Sequence, residues 1–156
     1  MKLLKLKMFV MLLFLSAITF SQNLIQPQEI TSEKLSQIMK SAYYDVIDVK
    51  ESYISIKDGV KTFFDIDKNK RFISFSGSFS LNENFSKEQK LALLNEINTQ
   101  VLLIKAYHKE SNNSINYIYH FWTEGGFTDT SLVKAYKIYK SALTRTLEID
   151  KQKIIK

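Results

Sequence analysis

Chemistry in this sequence has few places to reside, and the first is an alternation of oxygen-bearing side chains. Asp65-Ile66-Asp67-Lys68-Asn69 spaces its carboxylates and amide one residue apart, as the opening of a calcium loop does, because a hard cation needs several oxygens converging on it. The remainder of such a loop is missing. Lys70 stands where the sharp turn calls for glycine, and Ser76 where a bidentate glutamate would close the shell. The stretch reads as a charged strand end followed by a turn. His108 and His120, the only histidines, fall on the two arms of one expected hairpin, where facing imidazoles bind metal or exchange protons. Direct opposition would need Ile115 and Asn116 inside the loop, whereas a loop of Ser111 to Ser114 sets His120 opposite Lys105. No third ligand accompanies them, so no metal site is assigned.

Other reaction machinery is absent from the residue types. There is no cysteine to serve as a nucleophile and no Gly-x-Ser-x-Gly elbow, and the four glycines form no phosphate-cradling loop. The expectation is a non-enzyme with no catalytic residue and no cofactor. Aromatic residues make up 13% of the chain. Tyr117, Tyr119 and Phe121 alternate onto one face of a strand, with Trp122 on the other. Tyrosine, tryptophan and phenylalanine give large contact area at little entropic cost, which makes these four the candidate partner surface. The alternative is an ordinary amphipathic strand that packs one face under helices. A second functional class stays open beside protein binding: a small ligand or metal held in a pocket between sheet and helices, with His120 or the Asp65/Asp67 pair contributing.

These residues must be positioned by a short series of elements. Leu35, Ile38, Met39 and Ala42 fall on one helical face, with Thr31 as cap and Ile30 stapling to Leu35. The period then drops to two. Val46 to Ile56 reads as one strand ending at Asp58-Gly59, Val60 to Ile66 as a second, and Arg71 to Phe79 as a third after a turn at Lys68 to Lys70. Ser86-Lys87-Glu88-Gln89 is a capping box opening a helix whose apolar face is Leu91, Leu94 and Ile97 and which ends near Asn98. Strands at Val101 to Tyr107 and Ile115 to Trp122 follow, joined at Ser111 to Ser114. After Gly125-Gly126, a long helix from Asp129 carries Leu132, Tyr136, Tyr139, Leu143 and Leu147 in one stripe. The expected class is α+β in the order α-β-β-β-α-β-β-α, an antiparallel five-stranded sheet with helices packed on one face.

The first 21 residues belong to no such element. Lys2, Lys5 and Lys7 precede the apolar run Met8 to Ile18, and small side chains stand at Thr19 and Ser21, the three parts of a cleavable secretory leader. Cleavage before Gln22 is expected. The apolar run is shorter than the roughly 18 residues that span a bilayer, so no membrane anchor is expected after cleavage. The product would be periplasmic or secreted: a polar lead-in at 22–28, one domain at 29–150 and a solvated basic tail at 151–156. The leader holds three of the 22 basic residues and no acidic one, so 19 remain against 16 acidic. That interspersed, near-balanced charge argues against nucleic acid as a partner.

The element order, with Leu94-Asn95-Glu96-Ile97-Asn98 before a strand and Gly125-Gly126-Phe127-Thr128 before the last helix, resembles the YbjN family over roughly Ile30 to Leu147. That family is labelled a sensory-transduction regulator, and its fold is similar to that of the small type III secretion chaperones. The resemblance implies the architecture, a homodimer, and binding of polypeptide rather than turnover of a small molecule. It carries no catalytic residue across. An exported product departs from the intracellular chaperones, whose secretion apparatus loads cargo in the cytoplasm.

Overall fold

The computed structural model describes residues 24–156, so the expected leader lies outside the described residues. A short 3-10 turn (Pro27–Glu29) leads into helix α1 (Ser32–Ser41). Strands β1 (Asp45–Lys50), β2 (Tyr53–Asp58), β3 (Val60–Ile66) and β4 (Phe72–Ser80) follow, then helix α2 (Lys87–Gln100), β5 (Lys105–Lys109), β6 (Ser114–Trp122) and helix α3 (Asp129–Ile149). The strands form one antiparallel sheet in the order β1-β2-β3-β4-β6-β5. The α+β class and its helix and strand order therefore stand, with six strands in place of five.

The extra strand comes from Glu51-Ser52, which folds the expected Val46 to Ile56 strand back on itself so that Lys50 pairs with Tyr53. Neither loop residue adopts a positive φ. The turn consequently needs no glycine or asparagine, the residues by which a tight hairpin is usually recognised. β5 also starts later than expected. α2 runs on to Gln100, and Leu103 takes a left-handed φ of 73° to turn the chain into the sheet. The hairpin loop sits one residue earlier than the expected Ser111 to Ser114, with Lys109 opposite Ser114 and Lys105 opposite Ile118 rather than His120.

Helix starts follow their caps. Thr31 accepts the Lys34 N–H at 3.1 Å, and Ser86 and Gln89 exchange the two bonds of a capping box at 3.3 and 2.8 Å. α2 buries Lys90, Leu93, Leu94 and Ile97, while Leu91, expected on its inner face, is exposed. Lys90 tolerates burial because its ammonium donates to Asn113 Oδ1 at 2.9 Å. In α3 the stripe Leu132, Tyr136, Tyr139 and Leu143 is buried as expected, but Leu147 is exposed.

One side of the sheet meets the helices. Ile54, Ile56, Phe64, Ile73, Phe75, Ile115 and Tyr117 are buried there with Leu35, Met39, Ile97, Tyr136 and Tyr139 from the helices. Gly77 sits on this face because the Tyr139 hydroxyl lies 3.0 Å from where a Cβ would stand.

Both ends of the described chain are tied to this core. Ile25 exchanges backbone bonds with Phe127 at 2.7 and 3.0 Å. The expected free basic tail is instead docked: the Asp150 carboxylate accepts the N–H groups of Ile154 and Ile155 at 2.9 and 2.7 Å. Ile154 and Ile155 are buried, and Ile155 bridges to Leu81. Two adjacent isoleucines outweigh the three lysines around them, since apolar burial stabilises by about 25 cal/mol per Å² and exposed lysines lose nothing by staying in water.

The β5 edge of the sheet is capped at Ala106 by a side chain. Asn98 at the end of α2 accepts the Ala106 N–H at 2.8 Å and donates to the Ala106 carbonyl at 2.9 Å. Its carboxamide takes the place of a neighbouring strand. Among the described residues no helix is long and apolar enough to cross a membrane.

Candidate interaction surface

The β4–β6 pair organises the candidate residues. Its register runs unbroken from Phe72 opposite Trp122 to Ser80 opposite Ser114, so side chains alternate strictly between two faces. Ile73, Phe75, Gly77 and Phe79 face Phe121, Tyr119, Tyr117 and Ile115 on the helix side. Phe72, Ser74, Ser76 and Ser78 face Trp122, His120, Ile118 and Asn116 on the other.

This register divides the four expected surface residues. Tyr117 has 0% exposure, and Tyr119 and Phe121 pack against the core cluster. The last two stack over Phe75 with ring centroids 5.5 and 6.4 Å away. The three belong to the folding core rather than to a contact surface. Burial pushes the Tyr117 phenol up to about 12, partly opposed by the Thr146 hydroxyl. Burial likewise raises Tyr136 and Tyr139. Trp122 alone of the four is open, at 64% exposure.

Around Trp122 lies a cluster that the sequence did not single out. The Phe72 ring meets Trp122 edge-on at 5.7 Å and His120 at 4.7 Å, and the Arg71 guanidinium lies 5.8 Å from the Phe72 centroid. Phe63 and Tyr53 extend the same face across β3 and β2, 5.7 Å apart, with Tyr53 opposite Asp65 and Asp65 opposite Ser74. Lys57, Lys61, Lys105 and Lys109 lie on the same face, with Lys61 Nζ 4.7 Å from the Phe63 centroid. The signal was present as Phe72, Ser74, Ser76 and Ser78 in strict alternation with the core residues, but parity alone does not say which face is covered.

The two histidines do not meet. His108 pairs with Ile115 on the helix side, whereas His120 lies on the opposite face, across from Ser74. Ser74 Oγ is 2.9 Å from His120 Nδ1, and with Asp65 next along the row the three resemble a serine–histidine–aspartate set. The order is wrong for acyl transfer, which needs the carboxylate on one imidazole nitrogen and the serine on the other. Here serine sits between the other two, and the Asp65 carboxylate accepts from Ser76 at 3.3 Å. Partial desolvation raises the Asp65 pKa, which the Ser76 hydroxyl only partly offsets.

Asp67 is turned away from Asp65 into the β3–β4 turn. Its Oδ2 accepts from the Asn69 and Arg71 N–H groups and from Arg71 Nε, each at 3.2 Å. Desolvation alone would raise Asp67, but the Arg71 backbone and guanidinium hold it below the usual carboxylate value. The pair is therefore a turn and a strand end, and among the described residues no group of three or more histidines or carboxylates is placed to hold a metal. The cleft between sheet and α3, lined by Asp58, Thr62, Tyr136, Lys140 and Leu143, has a volume of about 160 Å³. It is smaller than the roughly 300 Å³ at which ligand pockets begin, and none of His120, Asp65 and Asp67 lines it; a wider cleft of about 450 Å³ between the start of α1 and the β3–β4 turn does include Asp67, whose Oδ2 is taken up by the turn.

Six antiparallel strands with all three helices on one face, and an aromatic cluster left open on the other, define a small α+β protein with one helix-free sheet face. The chain belongs to the YbjN family. The family described as "Putative bacterial sensory transduction regulator" matches residues 31–147. The fold is similar to the crystal structure of YbjN, "a putative transcription regulator from E. coli", with a TM-score of 0.67 at 16% identity, covering 80% of this chain and 94% of that one. It is also similar to an uncharacterised protein from Methanothermobacter thermautotrophicus, with a TM-score of 0.55 at 10% identity, covering 80% and 99%. At these identities the likeness is one of fold. No curated protein matches the chain.

Proposed function

We propose that this chain is an exported, non-enzymatic protein-binding module that engages a polypeptide partner with the helix-free face of its sheet and associates with itself. The observation that carries the reading is the Phe72–His120–Trp122 cluster, lying on the face opposite every helix with Trp122 at 64% exposure. Large exposed aromatic side chains in a group are costly to leave in water and are the residues from which interface energy is mostly drawn. The basic start and apolar run at 1–21 support export, and the missing relay geometry at Asp65, Ser74 and His120 favours binding over turnover.

The test has two arms. N-terminal sequencing of the protein recovered outside the cytoplasm is expected to begin at Gln22; recovery only in the cytoplasm with the leader intact would remove export. Immobilised protein carrying Trp122→Ala and Phe72→Ala is expected to lose at least tenfold of a partner retained by the unaltered chain, the scale of one interface anchor. Ile138→Ala, on exposed α3 surface, serves as the control. Equal retention by all three would sink the sheet-face reading.

A further inference from the structure

The two edges of the sheet are treated differently, and the difference points to a partner. On β5 the outward N–H and carbonyl of Ala106 are taken by Asn98. β1, the other terminal strand, has no such cover: among the described residues, no backbone bond reaches Asp45–Lys50 from outside the β1–β2 ladder. Ile47 and Val49 on it are 45% and 39% exposed. An open edge with apolar side chains is a template for another strand.

We infer that β1 is a self-pairing edge, on which a second copy of this chain adds antiparallel so that Asp45 of each meets Lys50 of the other. The reading deepens the self-association proposed above and rests on it. The argument is one of parity and charge. A regular strand paired antiparallel with its own copy places residues i and j opposite each other on the same face only when i and j have the same parity, because side chains alternate with period two. Asp45 with Lys50 violates that rule. β1, however, carries a bulge between Val46 and Asp48, which shifts the phase by one. Asp45 lies opposite Lys57 and Lys50 opposite Tyr53, both on the helix-free face; Val46 lies opposite Ile56 and Val49 opposite Ile54, both on the helix side. The strand thus reads out, in, bulge, out, in, out: its two end positions match from either direction, Asp45 with Lys50 and Val46 with Val49, while at the centre the bulged Ile47 falls opposite Asp48.

Under a two-fold axis at the bulge, Asp45 meets Lys50 twice on one face and Val46 meets Val49 twice on the other. Sliding the register by one residue sets Asp45 against Glu51 or against Val49 and loses both charge pairs. Asp45 and Lys50 are both exposed; within the chain Lys50 Nζ lies 3.6 Å from the Asp48 carboxylate and Lys57 stands opposite Asp45, surface pairs weak enough to be exchanged for cross-copy ones. The bulge that discourages a flat foreign strand suits an edge bearing the same bulge, which is another copy of this chain. One strand pair buries little area, so the dimer is expected to be weak and concentration-dependent.

Sedimentation velocity on the chain from Gln22, over a range of micromolar concentrations, tests this with Asp45→Lys, Lys50→Asp, the double exchange, and a mixture of the two single variants. Thermal melting confirms that each folds. The expected result is a dimer in the unaltered chain, association weakened about tenfold or more in each single variant as two attractive cross-strand pairs become repulsive, and dimer regained both in the double exchange and in the mixture. Dimer unaffected by either single variant, or lost without being regained, would overturn the β1 edge and leave self-association standing. A monomer at every concentration would overturn both.

Discussion

Strand β6 carries the same kinds of side chain on both faces, and their environments differ completely. Tyr117 is fully buried among Gly77, Tyr139 and Ile115, whereas Trp122, five residues on and facing the other way, is mostly in solvent. Aromatic content by itself therefore says nothing about contact. What decides is which face of the pleat the helices cover, and α1, α2 and α3 all cover the face of odd-numbered β4 and β6 residues. Aromatic residues on that face stabilise the fold; on the other, Trp122 stays in solvent.

The largest effect should come from the covered face. Tyr117→Ala removes a ring from a closed core and is expected to cost about 3–5 kcal/mol in denaturant unfolding, as large-to-small aromatic changes do. If that variant cost no more than a surface change, the division of the two faces would fail. Next come the groups that shape the covered face. Gly77→Val drives a branched side chain into the Tyr139 hydroxyl, 3.0 Å from the glycine's absent Cβ, for an expected loss of about 1–3 kcal/mol. Tyr139→Phe should recover part of that loss, because it removes the obstructing oxygen; no recovery would place the strain elsewhere.

Alkaline pH attacks the same region. The Tyr117 phenol is raised to about 12, and Tyr136 and Tyr139 are raised as well, with burial the main cause in each. A group raised in the folded state contributes stability that is complete below its unfolded value of about 10 and is lost as pH rises toward the folded one. Unfolding free energy should therefore fall between pH about 10 and 12, with these phenols ionising together with unfolding when followed by ultraviolet absorbance. Ionisation of all three ahead of any loss of circular dichroism would contradict their burial.

Asn98→Ala is expected to cost about 1–3 kcal/mol, since it leaves the Ala106 N–H and carbonyl without their partner, and to open the β5 edge to association. A variant as stable and as monodisperse as the parent would mean that water replaces the carboxamide without loss.

Much of this arrangement was legible in the sequence. Alternation from Ile115 to Trp122, the Ser86–Gln89 capping box and the α3 stripe each carry a period or a pairing that local physics enforces. The inward face was not legible, because alternation is symmetric between Tyr117 and Ile118 until a helix chooses one. Glu51-Ser52 was hidden because its turn uses only ordinary φ values. Asn98 reads as a helix end in sequence and becomes an edge cap only when α2 lies beside β5. The tail was misjudged by its lysines, although Ile154 and Ile155 were the residues with apolar area to bury.

The smallest stability effect belongs to the open face: Trp122→Ala should change unfolding free energy by no more than about 0.5 kcal/mol, as surface substitutions do, although it is the change expected to abolish partner retention. The central claim is tested most directly by replacing Trp122 with a photo-cross-linking residue and, in a parallel sample, Ile138 on α3. Protein purified through Gln22–Lys156 and irradiated in envelope extract is expected to capture one recurring polypeptide from position 122 and little from 138. Equal capture from both positions, or capture from 138 alone, would contradict a binding surface on the helix-free face of the sheet.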